Sequence, residues 1–315
     1  MQNFEATHPM TLELAKQKIE TAFPALKPVD IKLIGTGFDH TVYEVNNRWV
    51  FRFPRREMGY DAMRIEYSVL KELERASFDS AYNIPRVRYY AIADGDNFPF
   101  IGLTNIKGNS LMEESDDSIL ENELANLGTF LRELHDLPLH YFTQGRDELN
   151  RLSTEARQES LVQRLEDIRG MIDHELFDIT HAYLKEIPLM PNPQGTSLVH
   201  GDMHPNNIIM LDGAVHGVID WGDAHIGHPA IDLSILYQLV SPDKHDPFYK
   251  TYGEVDEETK QLAIFKAVSV SIILLHHTTV EPNDNVMRWG KIMLKNALLA
   301  WQPAPMELEG DLLAD

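Results

Sequence analysis

The chain has 315 residues, with 49 Asp and Glu against 28 Lys and Arg, a formal net charge of -21 and no cysteine. That composition excludes disulfides, thiol nucleophiles and cysteine-ligated metals, and so acidic a surface repels nucleic acid and anionic membrane while attracting cations. With 43% hydrophobic residues, the length suits two lobes or domains and a sizeable core.

Leu12, Ala15, Ile19 and Phe23 recur at helical spacing, and Pro24 ends that first helix. Alternating segments at 31–35, 41–45 and 48–53 predict three strands, the last two joined by an Asn46-Asn47 turn. Gly35-x-Gly37 joins the first two; glycine lets backbone amides approach a phosphate, although a plain hairpin turn gives the same pattern and no third glycine follows. A helix over about 61–76 presents Ile65, Val69, Leu70 and Leu73 inward and carries Glu66. Segments 84–92 and 98–104, around Asp94-Gly95-Asp96-Asn97, complete five N-terminal strands. An acidic loop at 113–117 opens a periodic helix over 118–136 with Leu120, Leu124, Leu127, Phe130, Leu131 and Leu134 buried. Residues 147–186 are charged and helical in pattern; further helices are expected near 231–240, 256–276 and 283–300, with a loose acidic tail from Pro303. The longest apolar run, near Ser271 to Leu275, falls short of the roughly 20 residues a membrane span needs. The N-terminus is polar and shows no signal peptide, so a cytoplasmic protein is expected.

Between these helices lies the stretch with the most chemistry. Leu198-Val199-His200-Gly201-Asp202-Met203-His204-Pro205-Asn206-Asn207-Ile208-Ile209 reads as strand, polar loop, strand; after a turn at Asp212-Gly213, Val218-Ile219-Asp220-Trp221-Gly222-Asp223 closes on acids. Asp202 and Asn207 lie five positions apart, and Asp220 ends a strand. One carboxylate can orient or deprotonate a hydroxyl while the amide and second carboxylate hold magnesium on a nucleotide's phosphates. The fourteen histidines include His200, His204, His225 and His228, but no i, i+4 pair with a third zinc partner. No serine-hydrolase elbow and no P-loop occur.

His-Gly-Asp-Met-His-Pro-Asn-Asn with Ile-Asp-Trp-Gly-Asp-Ala, followed by Gly227-His228-Pro229-Ala230-Ile231-Asp232-Leu233, resembles the aminoglycoside phosphotransferase family of small-molecule kinases. Gly102-Leu-Thr-Asn-Ile-Lys-Gly108 with Leu111 is most similar to the 2''-phosphotransferase branch, and Phe51-Arg-Phe-Pro-Arg-Arg56 resembles that branch and the macrolide 2'-phosphotransferases equally. The resemblance implies an α+β, bilobal, protein-kinase-like fold: a nucleotide-binding lobe over 1–104, with a five-stranded antiparallel sheet and a helix, and a larger helical lobe over 105–315 for catalysis and substrate. It implies Mg2+ with ATP or GTP as donor. Asp202 becomes the base, Asn207 and Asp220 the metal ligands, and His200 and Asp232 supports of the catalytic loop. Arg52 stands where kinases place a strand lysine, paired with Glu66; Arg55 and Arg56 are rival phosphate ligands. Gly35 and Gly37 would lie over phosphates, and the backbone of Thr104, Asn105 and Ile106 would meet the base. The acceptor is expected to be an aminoglycoside, with Asp223 and Glu281 among its carboxylate partners; a macrolide, a non-antibiotic metabolite and a catalytically silent binding protein are the alternatives. Asn207 departs from the drug kinases, which often carry histidine there. A monomer or simple homodimer is expected, without nucleic-acid or membrane partners.

Overall fold

The computed structural model describes residues 7–37, 39–93, 95, 98–114 and 119–301, with side chains from 123 onward in the helix that begins at 119. Most of the expected turn at 94–97, part of the acidic loop at 113–117, the Leu120 side chain and the tail from Pro303 therefore lie outside the described residues. In chain order the elements are α1 (Leu12–Ala22), β1 (Ile31–Thr36), β2 (His40–Val45), β3 (Trp49–Pro54), α2 (Glu57–Arg75), β4 (Val87–Ala91), β5 (Phe100–Thr104), β6 (Asn109–Ser110) and α3 (Ile119–His135). There follow α4 (Thr154–Asp167), α5 (His174–Glu186), β7 (Ser197–Val199), β8 (Ile208–Leu211), β9 (Ala214–Val218), β10 (His225–Gly227), α6 (Ala230–Leu239), α7 (Asp246–Tyr252), α8 (Glu257–His277) and α9 (Asp284–Leu299). Residues 1–149, 194–233 and 246–254 form one compact unit, and 150–193, 234–245 and 255–315 a second.

The first unit is built on an antiparallel sheet in the order β1-β2-β3-β5-β4, so the α+β class and the five-stranded sheet are as the sequence implies. Thr11 caps α1 by accepting from the Leu14 N–H. The inner face of that helix, Ala15 and Ile19, packs on Tyr43, Val45, Phe51, Phe53 and Phe100. Because side chains alternate across a strand, Trp49, Phe51 and Phe53 of β3 join this aromatic layer, and Val50 and Arg52 turn to the opposite face. The register Val42↔Arg52 and Glu44↔Val50 gathers those four residues there. Gly102 makes room for the layer, since a Cβ on it would sit 2.7 Å from the Phe51 ring.

Helix α2 starts four residues before the expected 61, and its buried stripe is Met63, Glu66, Val69, Leu70, Glu72 and Leu73. Ile65, expected inward, is 36% exposed, because its neighbour Glu66 takes the inward direction. Glu72 is buried with no cationic partner among the described residues: one oxygen accepts from Ser68 Oγ (3.1 Å) and Thr143 Oγ1 (2.8 Å), the other from Gln144 Nε2 (2.7 Å). The next residues run beside β10, where the Ile226 N–H donates to Gly145 O (2.9 Å) and Arg146 bridges Ile226. Two small sheets, β10-β7 and β6-β8-β9, bracket residues 200–207.

The second unit is helical. Its α8 is flanked by α9 and α4, with α5 beside α4 and α9, and Gly290 lets α9 approach Leu275 so closely that a Cβ would meet it at 2.7 Å. The apolar run proves longer than its five-residue centre: α8 is long and apolar enough to cross a membrane by length and composition, with mean hydropathy 1.3, yet 72% of that window is buried within the protein. It serves as the central helix of this unit.

Candidate active site

The polar loop is held by its own backbone demands. Asp232, 0% exposed at the start of α6, accepts from the His200 N–H (2.7 Å) and the Gly201 N–H (2.9 Å), and its Oδ2 also takes His135 Nε2 (3.2 Å). Burial by itself would raise this carboxyl, but His135, His200 and the Gly201 amide hold it below its ordinary value. Gly201 sits at φ +87°, and a Cβ would lie 2.2 Å from Asp223 O, so the loop requires glycine here. His200, fully buried, donates from Nε2 to Ile219 O (3.0 Å), accepts the Asp202 N–H at Nδ1 (3.3 Å) and packs edge-on against Trp221. Thus His200 and Asp232 both work on the loop backbone.

That scaffold brings the three polar residues of the motif together. Asn207, buried at the end of a 3-10 turn, donates from Nδ2 to the Asp202 carbonyl (2.9 Å) and to Asp202 Oδ2 (3.2 Å). The Asn207 backbone carbonyl accepts the Ile219 N–H (3.0 Å), which sets Asp220 alongside. Asp220 has φ +66°, a conformation that costs a non-glycine residue about 1–3 kcal/mol and collects at functional sites. Asp202 lies near enough for its charge to act on Asp220.

Arg52 meets this group from β3. Nη1 donates to Glu66 Oε1 (2.8 Å), and Nη2 to Asp220 Oδ1 (3.0 Å), with His40 Nδ1 3.3 Å away. A guanidinium only donates, so His40 supplies a lone pair and is neutral; burial and Arg52 lower its pKa to about 3. Burial pushes Glu66 up to about 7 against the pull of Arg52. Burial also opposes the charge on Arg52, yet Asp220 and Glu66 outweigh it and raise the guanidinium above its usual value. Asp220, 44% exposed, is held low by Arg52 although its surroundings work the other way. The rivals are engaged elsewhere: Arg55 donates to Gly37 O and Arg56 pairs with Asp39 (2.9 Å).

A cavity of about 580 Å³ opens on Arg52, Glu66 and Asp220, with Ile34, Val42, Val50, Leu103, Ile209 and Ile219 as its apolar walls. Thr104, Asn105 and Ile106 line its edge. The Thr104 N–H goes to Arg86 O and the Asn105 N–H to Arg48 O, both at 3.0 Å; among the described residues the Ile106 N–H has no backbone acceptor. Lys107 and Asn105 both converge on Glu44 at the same edge. Gly35 lies within β1 and Gly37 just after it, both outside the lining residues, where Leu33 and Ile34 stand instead. Asp223 is exposed two residues before His225, whose Nδ1 donates to its carbonyl (2.8 Å). Glu281 belongs to the second unit and pairs with His277 (3.6 Å).

Among the described residues no group of three His, Cys, Asp or Glu could hold a metal. The oxygens of Asn207 and Asp220 nevertheless suit a hard cation that completes its shell with phosphate and water, because the Asn207 nitrogen is spent on Asp202 and only its oxygen remains. Two contributors escaped the sequence reading. His40 occupies the place of the missing third glycine in the Gly35-x-Gly37-x-x spacing, which was the available signal. His204, whose Nε2 lies 3.3 Å from Asp202 Oδ2, stands out in the sequence only as one of the clustered histidines.

Known proteins share this arrangement of elements. The wild-type aminoglycoside 2'-phosphotransferase-IIIa in its GDP complex superposes with a TM-score of 0.67 at 22% identity, over 91% of this chain and 99% of that one. A macrolide 2'-phosphotransferase type I superposes with a TM-score of 0.56 at 17% identity, over 90% and 98%. At these identities the likeness is one of fold. In sequence, an aminoglycoside 3'-phosphotransferase of Escherichia coli is 28% identical over 153 residues, 45% of this chain and 53% of that protein. The uncharacterized protein YcbJ of Bacillus subtilis (strain 168) is 27% identical over 231 residues, 66% and 70%. The chain thus spans about half the length of that 3'-phosphotransferase. The model of the phosphotransferase enzyme family matches residues 30–265, a span that takes in both the Arg52–Glu66 pair and the Asp202–Asp220 loop, and to that family this chain belongs.

Proposed function

We propose that the chain transfers the γ-phosphoryl group of ATP or GTP to a hydroxyl of an aminoglycoside-type small molecule. The observation that carries this reading is the meeting of Asp202, Asn207 and Asp220 with Arg52 beside a cavity edged by residues 104–106. Residues 1–104 serve as the nucleotide-binding lobe and 105–315 as the catalytic and substrate lobe. The base lies between the apolar walls and takes the Ile106 N–H; Arg52, oriented by Glu66, meets the phosphates, with the Gly35-x-Gly37 loop above them. Asp202 accepts the proton as the acceptor oxygen bonds the γ-phosphorus and the bond to the β-phosphate oxygen breaks. Asn207 and Asp220 hold Mg2+, which supplies charge neutralisation on the phosphates when bound. His200 and Asp232 fix the loop. Asp223 is an acidic partner for a polycationic acceptor, in keeping with the net charge of -21. A cytoplasmic monomer or simple homodimer, without nucleic-acid or membrane partners, completes the reading.

A macrolide acceptor is the second reading, supported by the fold likeness to a macrolide 2'-phosphotransferase type I. A coupled nucleotide-turnover screen with ATP and GTP against aminoglycosides, macrolides, choline, amino alcohols and sugars tests both. Stimulation by aminoglycosides supports the first; stimulation by macrolides alone replaces it with the second. Turnover with no antibiotic would move the acceptor to a metabolite, and no phosphoryl transfer under any condition would make the chain a silent binding protein.

A further inference from the structure

We infer that His204 is a positioning residue for Asp202, a role that rests on reading Asp202 as the base. His204 is nearly enclosed, 13% exposed, at the head of the 3-10 turn that carries Asn207. Its Nδ1 accepts the Asn206 N–H at 3.2 Å. A ring nitrogen that accepts has no proton, so the proton of the neutral ring sits on Nε2. That Nε2 is 3.3 Å from Asp202 Oδ2, at ion-pair distance from it. The neighbouring Asn207 Nδ2, 3.3 Å from the same ring nitrogen, is itself a donor already committed to the Asp202 carbonyl and carboxylate. Nε2 therefore finds its acceptor in Asp202. Two N–H groups thus converge on one carboxylate oxygen, one from the cap of the turn, His204, and one from its last residue, Asn207. Asn207 couples the carboxylate to the metal side of the site, while His204 couples it to the turn itself. Rotation of the carboxylate breaks both bonds, so the torsion of a base on an otherwise rotatable side chain is set before any acceptor arrives.

The two ring nitrogens do different jobs, and two amides separate them. Asparagine reproduces Nδ1 and keeps the turn capped; glutamine reproduces the reach of Nε2 and keeps the bond to Asp202. His204→Asn, His204→Gln, His204→Leu and Asp202→Asn are compared in the full chain with Mg·ATP and Mg·GTP, using acceptor-dependent turnover where the screen finds it and nucleotide hydrolysis otherwise. Expected are a fall in kcat of about 10- to 100-fold for His204→Leu and His204→Asn, the scale of removing an outer partner from a reacting group, with nucleotide KM nearly unchanged, and recovery to within about 3-fold in His204→Gln. Activity kept by His204→Asn and lost by His204→Gln would show a capping role only and overturn the proposal. Full turnover in His204→Leu while Asp202→Asn is inactive would overturn it alone; turnover retained in Asp202→Asn would remove the base assignment as well. Where a variant does not fold, 15N NMR of ring-labelled wild-type protein decides: an Nε2–H tautomer for His204 supports the bond, and an Nδ1–H tautomer overturns it.

Discussion

Replacing Asp232 by asparagine tests the foundation of the catalytic loop. The native carboxylate gives one oxygen each to the His200 and Gly201 amides, at 2.7 and 2.9 Å, and receives His135 Nε2 on the first of these. Asparagine keeps the shape but has one oxygen, so its NH2 faces a backbone N–H whichever way it turns. The change removes a charge-assisted bond worth about 1.5–3 kcal/mol and leaves a buried donor unsatisfied at about 1–3 kcal/mol. The sum, on the order of 3–5 kcal/mol, matches the cost of breaking a buried charged pair. At roughly 2–4 °C per kcal/mol for a unit of this size, the first unit's calorimetric transition should fall on the order of 10 °C. Turnover measured well below that transition should fall too, because the residues displaced are those beside Asp202. A variant melting within about a degree of wild type with full turnover would refute the claim that Asp232 shapes the loop.

Asp202→Ala should lower turnover by roughly 100-fold or more while nucleotide affinity is kept; near-normal turnover would remove Asp202 as the base. Asp220→Ala should raise the magnesium concentration needed for half-maximal activity, and an unchanged magnesium titration would take Asp220 off the metal. His40, with its pKa lowered to about 3, binds fewer protons in the native state than the unfolded imidazole at about 6.5. Stability should therefore fall as pH falls from about 6.5 towards 3, by up to about 1.4 kcal/mol per unit from this group. Urea unfolding across that range should be less pH-dependent in His40→Asn, which keeps an acceptor near Nδ1 for Arg52; equal slopes would show that His40 is not the source.

The features legible in the sequence were those whose information is local. The strand position matching the kinase lysine points to Arg52, with Arg55 and Arg56 separated from it only once they are seen on Gly37 and Asp39, and the order Asp202, Asn207, Asp220 falls on a strand–loop–strand frame that short-range hydrogen bonds then close. The illegible features depend on residues distant in the chain. His40 is an ordinary strand residue until folding places Arg52 beside it, and Glu72 reads as a surface helix acid until Thr143 and Gln144 arrive. Ile65 misled because apolar periodicity assigns an inward place to isoleucine, and the stripe here is completed by a carboxylate. Glycine spacing pointed to the loop after β1, yet the cavity wall is made by Leu33 and Ile34 just before it.

Glu72 has a mechanical meaning for the helix that holds it. Glu66 and Glu72 are six residues apart, about 9 Å along the axis, and each is fastened to a different part of the first unit, the one to Arg52 and the other to Thr143 and Gln144. A rod pinned at two points can neither roll nor slide without breaking both attachments. Its second pin uses neutral donors, so salt screens it little, unlike a surface ion pair. The ordering of the Arg52–Glu66 pair is thus completed during folding, and in the role proposed for it the entropy it costs is not charged to nucleotide association.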